Sequence, residues 1–424
     1  MKHLLFLTTS NLATNPRLYK ELQLALQEGY KATVLQFTLH NWSDAKTEAL
    51  KSELEQVYPI AHDYLELISL EAIPSRKLDW LYWGLSEKLA KKAYKLMSNH
   101  LKWNVLGNSR RALQLLKAAK QINLPADLIC AHNLGALYPA YQLGKQCDVP
   151  FIFDVEDYHP GETVSFDAKN EKRRREFLMQ TLLPKAKAVT FASPLIEQYS
   201  TDLVGSFNSS KTILNGFNAD EFLLQEDSKT DAVLSLVWFS QKISFGRGLE
   251  QLFEALIHLK QSHAKMSLEL TLIGEMDADF QKKVIQPLEV QLVDTAIHVI
   301  IKAPLQQKQL HAEVCCYDVG LALEFDSRDL NRQICLTNKI ITYAQAGLYI
   351  LATDTKAQKQ FISEHPELGI LSKQSPQSLA DALLRLCENT AQIKGQKRKR
   401  FELGAALSWD QEQEKLKKIW QQIL

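Results

Sequence analysis

The feature that most constrains this chain is an alternation of strand-like and helix-like segments that runs through once and then starts again. Short apolar runs at 3–8, 32–37, 127–131, 150–154, 188–192 and 212–214 are separated by amphipathic stretches. That rhythm belongs to parallel strands joined by helical crossovers. The first crossover shows the local logic. Asn15 can cap a helix whose first position is Pro16, where the missing N–H costs nothing. Leu18, Leu22, Ala25 and Leu26 then form one apolar stripe, and Gly29 closes it. After a polar, irregular stretch at 216–231, a plausible hinge, the pattern restarts. Strands are expected at 233–239, 268–273, 297–301, 319–323 and 349–353, with a helix at 249–259 and an amphipathic helix at 409–424. A chain of 424 residues exceeds what one core usually supports. The expectation is α/β: two doubly wound parallel-sheet domains facing a cleft, with chemistry at the carboxyl ends of the strands.

Composition narrows the function classes. Apolar residues make up 46% and charged residues 23%, ordinary for a globular protein, and the formal net charge of +1 gives no argument for nucleic acid. The six cysteines form no Cys-x-x-Cys pair and have no zinc spacing, so they read as buried thiols in a reducing compartment. The opening run Met1-Lys2-His3-Leu4-Leu5-Phe6-Leu7 reads as a buried strand rather than a signal peptide. The cytoplasm is the expected location, with the inner face of a membrane as a peripheral alternative.

Several positions carry candidate chemistry. Thr337 or Asn338 can cap a helix that ends at Gly347, and its start, with Lys339, offers unpaired N–H groups and positive charge to a diphosphate. Lys242 and Arg247 are expected on one strand-to-helix loop, where Gly246 and Gly248 permit close backbone approach. The plainer reading is two solvated cations. Glu324 ends a strand, where a carboxylate can hold sugar hydroxyls. In the first half the equivalent mouth positions include Asn15, Arg17, His132, Glu156, Asp157 and His159. Either histidine is a general-base candidate or a structural residue. Asp277-Ala278-Asp279 has the form of a metal-holding Asp-x-Asp but reads as a solvated helix start. No Gly-x-Gly-x-x-Gly follows the first strand, and there is no Walker motif or Gly-x-Ser-x-Gly elbow. Residues 76–103 mix Trp80, Tyr82, Trp83, Tyr94 and Trp103 with lysines; such a segment suits an anionic membrane surface or a domain helix with a solvated basic face.

These residues, in this order, resemble the GT-B glycosyltransferases of the retaining family 4 along nearly the whole chain. Asn15-Pro16-Arg17 is similar to the opening loop of that family's acceptor domain, and Asp154-Val155-Glu156-Asp157 to its Asp-x-His-Glu segment, with Glu156 where His is common. Ser193-Pro194 and Leu214-Asn215-Gly216-Phe217 are similar to its serine-proline step and pre-hinge Asn-Gly. Gln241-Lys242-Ile243 through Arg247-Gly248 resembles the family's Gly-Arg-Leu…Lys-Gly loop with the basic types exchanged, and Asn338-Lys339 through Ala346-Gly347 its Asn-Lys helix. Two glutamates that the family carries in its donor site fall on Ile334 and Thr342 here; the second normally holds the nucleotide ribose.

The resemblance implies an acceptor-side domain over 1–216, completed by a terminal helix over 405–424 that crosses back to it, and a nucleotide-sugar donor domain over 217–404. It implies a metal-independent hexosyltransferase that moves a sugar from a nucleoside-diphosphate donor to a glycan or lipid-linked acceptor with retention, using no cofactor. Lys242 and Arg247 would serve the chemistry, joined by Glu324, which matches no motif of the family and is read from its place at a strand end alone. Gly248, Thr337, Asn338, Lys339 and Thr342 would bind the donor nucleotide. Asn15, Arg17, His132, Glu156, Asp157 and His159 would face the acceptor. A nucleotide-sugar epimerase of the same fold and a non-catalytic binding protein are the competing readings.

Overall fold

The computed structural model describes residues 1–72, 77–122, 125–225, 233–263, 266–324 and 329–424. It divides into two compact units: Met1–Ile213 together with Gln413–Leu424, and Leu214–Glu412.

The first unit is built on a parallel sheet of strands β1 (His3–Thr8), β2 (Lys31–Thr38), β3 (Leu65–Glu71), β4 (Leu128–His132), β5 (Phe151–Val155), β6 (Ala188–Phe191) and β7 (Ser210–Thr212). Their spatial order is β3-β2-β1-β4-β5-β6-β7. Strands β1, β4 and β5 are buried throughout, as central strands covered on both faces must be. The order reverses between β1 and β4, which register Thr8 beside His132. A crevice at the carboxyl ends of strands is expected at such a reversal. The first helix is Pro16–Gln27, capped by the Asn15 side chain on the Leu18 N–H at 2.9 Å, and Gly29 follows with φ 74°. Strand β3 was not foreseen. It is an edge strand in which Leu65 alone is buried and the other residues are half-buried or exposed, so no continuous apolar run announces it.

Between β3 and β4 the chain forms a helical lobe: Lys77–Lys92, Tyr94–Met97, Leu101–Asn108 and Arg110–Ile122. Of the 76–103 segment, Arg76 and the side chains of Lys77, Trp80 and Lys95 lie outside the described residues. The other aromatics there are mostly turned inward rather than outward: Tyr94 is buried beneath the Arg174 guanidinium at 5.0 Å, and Trp83 and Trp103 are half-buried. Among the described residues no helix is long and apolar enough to cross a membrane.

The second unit repeats the plan with β8 (Leu234–Ile243), β9 (Leu268–Met276), β10 (Ile297–Lys302), β11 (Val319–Ala322), β12 (Tyr349–Thr353) and β13 (Gly369–Ser372), ordered β10-β9-β8-β11-β12-β13, all parallel. Trp238, Leu256, Leu272 and Leu321 lie in its core. Short β13, only four residues long, was also not foreseen. Leu214 to Phe217 belong to this unit because their polar groups are satisfied there. The Leu214 N–H donates to Glu412 at 2.9 Å, and Phe217 exchanges two bonds of 2.9 Å with the Gln345 amide. Residues 226–231 of the expected hinge lie outside the described residues.

Candidate functional site

At the carboxyl ends of β1, β4 and β5 the first unit assembles a buried charge network. Arg17, on the first turn of the Pro16–Gln27 helix, grips Asp154 with two bonds, Nε to Oδ2 at 2.6 Å and Nη2 to Oδ1 at 2.8 Å. Its Nη1 donates to the Ile213 carbonyl at 2.8 Å. Thr190 adds a third bond to Asp154 at 2.6 Å. Burial alone would raise the Asp154 carboxyl, but the guanidinium and this bonding hold it below its ordinary value.

His132, at the end of β4, sits among three carboxylates. Nδ1 lies 3.2 Å from Glu156 and 3.7 Å from Asp154, and Nε2 lies 3.3 Å from Glu21. Burial works against its charged form, yet the attraction of Glu21, Glu156 and Asp154 wins and pushes the imidazole up to about 10. His132 is therefore an imidazolium at neutral pH, a poor general base. Glu21 is raised, chiefly by burial.

This corrects the expectation that Arg17 and His132 face an acceptor. They are 7% and 1% exposed, and their polar groups are engaged within the unit. What they present is Glu156. Its Oε1 accepts from Asn15 Nδ2 at 2.6 Å and from His132 at 3.2 Å, while the side chain stays 19% exposed. Asp157 is half-buried beside it. His159 is tied away: Nδ1 lies 3.4 Å from Glu162, which Arg175 holds at 2.6 Å, and Arg175 also binds the His159 carbonyl. Glu21 was missed by sequence reading, although its i, i+4 spacing from Arg17 places both on one helix face.

Glu21, His132 and Asp154 could in principle gather around a metal ion. The donor set does not suit one. Arg17 already neutralises Asp154 with two bonds, and an added cation would lie against an imidazolium and a guanidinium.

In the second unit, the sequence-predicted residues fall into two groups. Strand β8 runs four residues further than expected, through a register shift between Phe239 and Lys242 that pairs Lys242 with Glu275 of β9. Lys242 is therefore an exposed strand residue rather than a loop residue. Arg247 is exposed on the turn that follows, between Gly246 (φ 71°) and Gly248 (φ 82°), which caps the Leu249–Ser262 helix. The Glu250 carboxylate accepts from the Gly246 N–H at 2.7 Å and braces that turn.

The other group gathers where β11 and β12 end. Glu324 is fixed through its backbone: its N–H donates to Thr353 Oγ1 at 2.9 Å, and that hydroxyl donates back to its carbonyl at 3.0 Å. Its carboxylate pairs with Lys339 at 3.4 Å, and Lys339 lies 5.8 Å from the Trp238 ring centre. Lys339 is on the first turn of the Asn338–Gln345 helix, for which Thr337 is the N-cap without a side-chain cap bond. Asn338 is exposed, and its side-chain oxygen accepts from Asn215 at 2.9 Å. The helix can lie this close to β11 because Gly320 has no Cβ; one added there would stand 2.2 Å from the Tyr343 ring.

Thr342 does not present its hydroxyl to a ligand. It is 1% exposed and donates to the Asn338 carbonyl at 2.9 Å, the usual helix-interior bond of a threonine. Asp277 of the Asp-x-Asp sequence caps its own short helix through the Phe280 N–H at 2.9 Å, and Asp279 pairs with Lys283.

No protein-family model and no curated protein matches the sequence. Solved structures do. Anabaena HepE in complex with UDP and glucose is 15% identical, each chain covered completely, with a TM-score of 0.62. Sucrose-phosphate synthase from Thermosynechococcus elongatus is 14% identical over 100% of this chain and 99% of its own, at 0.65. The α,α-trehalose-phosphate synthase (UDP-forming) from Burkholderia vietnamiensis is 10% identical over 99% and 100%, at 0.61. The chain shares the GT-B fold of these structures over both units.

Proposed function

We propose that this chain is a glycosyltransferase that moves a hexosyl group from a UDP-sugar, the donor side lying in the second unit and the acceptor side in the first. The observation that carries the reading is the end-to-end likeness to HepE, whose structures hold UDP, glucose and UDP-glucose. The local chemistry supports it. The first turn of the Asn338–Gln345 helix offers N–H groups and Lys339 to a diphosphate. Arg247 and Lys242 are exposed cations on the turn and strand end of the same unit. During transfer the bond from the anomeric carbon to the diphosphate oxygen breaks and one to an acceptor oxygen forms. Negative charge grows on the diphosphate, and cations that meet it stabilise the transition state more than the ground state. Glu324, steadied by Lys339 and Thr353, accepts hydrogen bonds from the sugar in this reading. Glu156, oriented by Asn15 and His132, plays that part for the acceptor. Retention and independence of divalent metal complete the proposal.

The test is a panel of UDP- and GDP-sugars with product analysis by NMR. Transfer or slow hydrolysis of a UDP-hexose, with the anomeric configuration kept, is the expected result. An epimerised free donor, or no donor turned over or bound, overturns it.

A further inference from the structure

The helical lobe between β3 and β4 has an outer face that a water-facing helix does not need. Along the Lys77–Lys92 helix, Leu81, Leu85 and Leu89 are 55%, 60% and 50% exposed, and Tyr82 is 63% exposed. Successive residues turn by about 100°, so the three leucines lie within roughly 80° of arc. Lys88 and Lys92 fall on the same arc and are exposed. The described carboxylate of this helix, Glu87, points elsewhere on the wheel and is occupied by Lys91 at 2.8 Å. The next short helix continues the surface with Leu96, 88% exposed, and Met97. Exposed Lys102 follows. Across a hollow of about 700 Å³, lined by Tyr94, Ser98, Asp167, Lys169, Arg173 and Glu176, exposed Phe166 precedes a basic helix start. The two acids there are engaged, Asp167 by Asn170 at 2.9 Å and Glu176 by Lys172 at 3.8 Å, whereas Lys169 and Arg173 are exposed.

A cluster of single exposed leucines is ordinary; leucines and lysines sharing one stripe are not what a solvated helix or a protein core requires. A bilayer interface fits both at once, because apolar side chains enter the acyl boundary while ammonium groups meet anionic headgroups. We infer that this lobe, centred on Leu81, Leu85, Leu89 and Leu96 with Lys88 and Lys92, docks the first unit on a membrane surface carrying anionic phospholipids. The charge of the stripe selects that occupant over a second copy of the chain: a two-fold contact would gather Lys88 and Lys92 of both copies in one apolar seam, where the helix has no described carboxylate to pair them.

The lobe also touches the mouth of the first sheet. Gly84 stands beside Arg110, and the next residue, Arg111, donates to the Thr9 carbonyl just past β1 at 2.9 Å. If the transferase reading holds, a lipid-borne acceptor would then be delivered near Glu156; the docking itself does not depend on that reading.

The experiment is vesicle flotation of the full chain, at about 50 mM and then several hundred mM salt, which spans strong to weak screening. Vesicles of phosphatidylcholine alone are compared with vesicles containing phosphatidylglycerol. The chain is expected to float with the anionic vesicles at low salt and to be released at high salt. Leu81→Ser/Leu85→Ser/Leu89→Ser and, separately, Lys88→Glu/Lys92→Glu are each expected to reduce bound protein at least tenfold, with the circular dichroism spectrum retained in both and only a modest fall in melting temperature in the serine variant, since its leucines are half or more exposed and serine forms helix less readily. Absence of flotation at low salt, or equal flotation of the variants, overturns the inference. So does a dimer, seen by light scattering, that the leucine variant disperses while vesicles go unbound. Flotation needs no donor sugar, so it reads this surface whether or not transfer is detected.

Discussion

Replacing Asp154 with Asn tests whether the network at the mouth of the first sheet is structural. Asp154 is 3% exposed and accepts three bonds of 2.6–2.8 Å, two of them from the 7% exposed Arg17. An amide of the same size can accept at one oxygen only, and it turns an N–H₂ donor toward a guanidinium that has none to accept. Arg17 is left as a buried cation whose bidentate partner no longer carries a charge. Breaking a buried pair in this way costs about 3–5 kcal/mol. Arg17→Met/Asp154→Leu, which removes both charges, should cost clearly less than the single Asn variant, because no uncompensated ion remains. Two-unit proteins need not unfold in one step, so the readout should be local: hydrogen exchange of the β1 and β4 amides under native conditions, which gives opening free energies element by element. Glu156→Gln is the contrast. Its side chain is 19% exposed and its removal of charge leaves Arg17 paired, so β1 and β4 protection should hold while transfer falls. The reasoning is refuted if Asp154→Asn changes β1 and β4 protection by less than about 1 kcal/mol, the worth of one ordinary hydrogen bond.

Other expectations follow from the same geometry. His132 has a folded value raised from 6.5 to about 10, so its contribution to stability is fully present below pH 6.5 and is lost as pH rises through 10. Unfolding free energy of the wild type should therefore fall across that window faster than for His132→Asn; parallel curves would remove the imidazolium from the account. Arg247→Ala should lower kcat about a hundredfold, the effect of losing one preorganised donor, with melting unchanged because the side chain is exposed. Full activity in that variant would sink the placement of the diphosphate. Thr342→Val should leave donor Kd within about twofold while costing roughly 1 kcal/mol of stability or less, since its hydroxyl is spent on the Asn338 carbonyl; a tenfold loss of donor affinity would restore a direct role. Transfer should persist in EDTA, and abolition reversed by Mg²⁺ or Mn²⁺ would overturn the metal-independent proposal.

What the sequence by itself determined is what its local periodicity encodes. The apolar run of β1, the Asn15–Pro16 start and the Gly29 stop act through neighbours a few residues away, and they stand where the residues imply. The same holds for the helix from Asn338 to its end before Gly347. Strands β3 and β13 escaped because neither carries a run of buried apolar residues: Leu65 alone is buried in the first, and only Gly369 and Ser372 in the second. The register shift that carries Lys242 into β8 depends on its partner β9, not on the residues around Lys242. Only the tertiary structure decided how the charges pair. Arg17 meets Asp154 across 137 positions of chain, and His132 meets Glu21 because β4 was laid beside β1. A charged residue reads alike in sequence whether it faces water, a ligand or a buried partner. Sheet order brings distant charges together, and burial then makes the pairing obligatory, since an unpaired ion in the interior costs more than any local preference can offset.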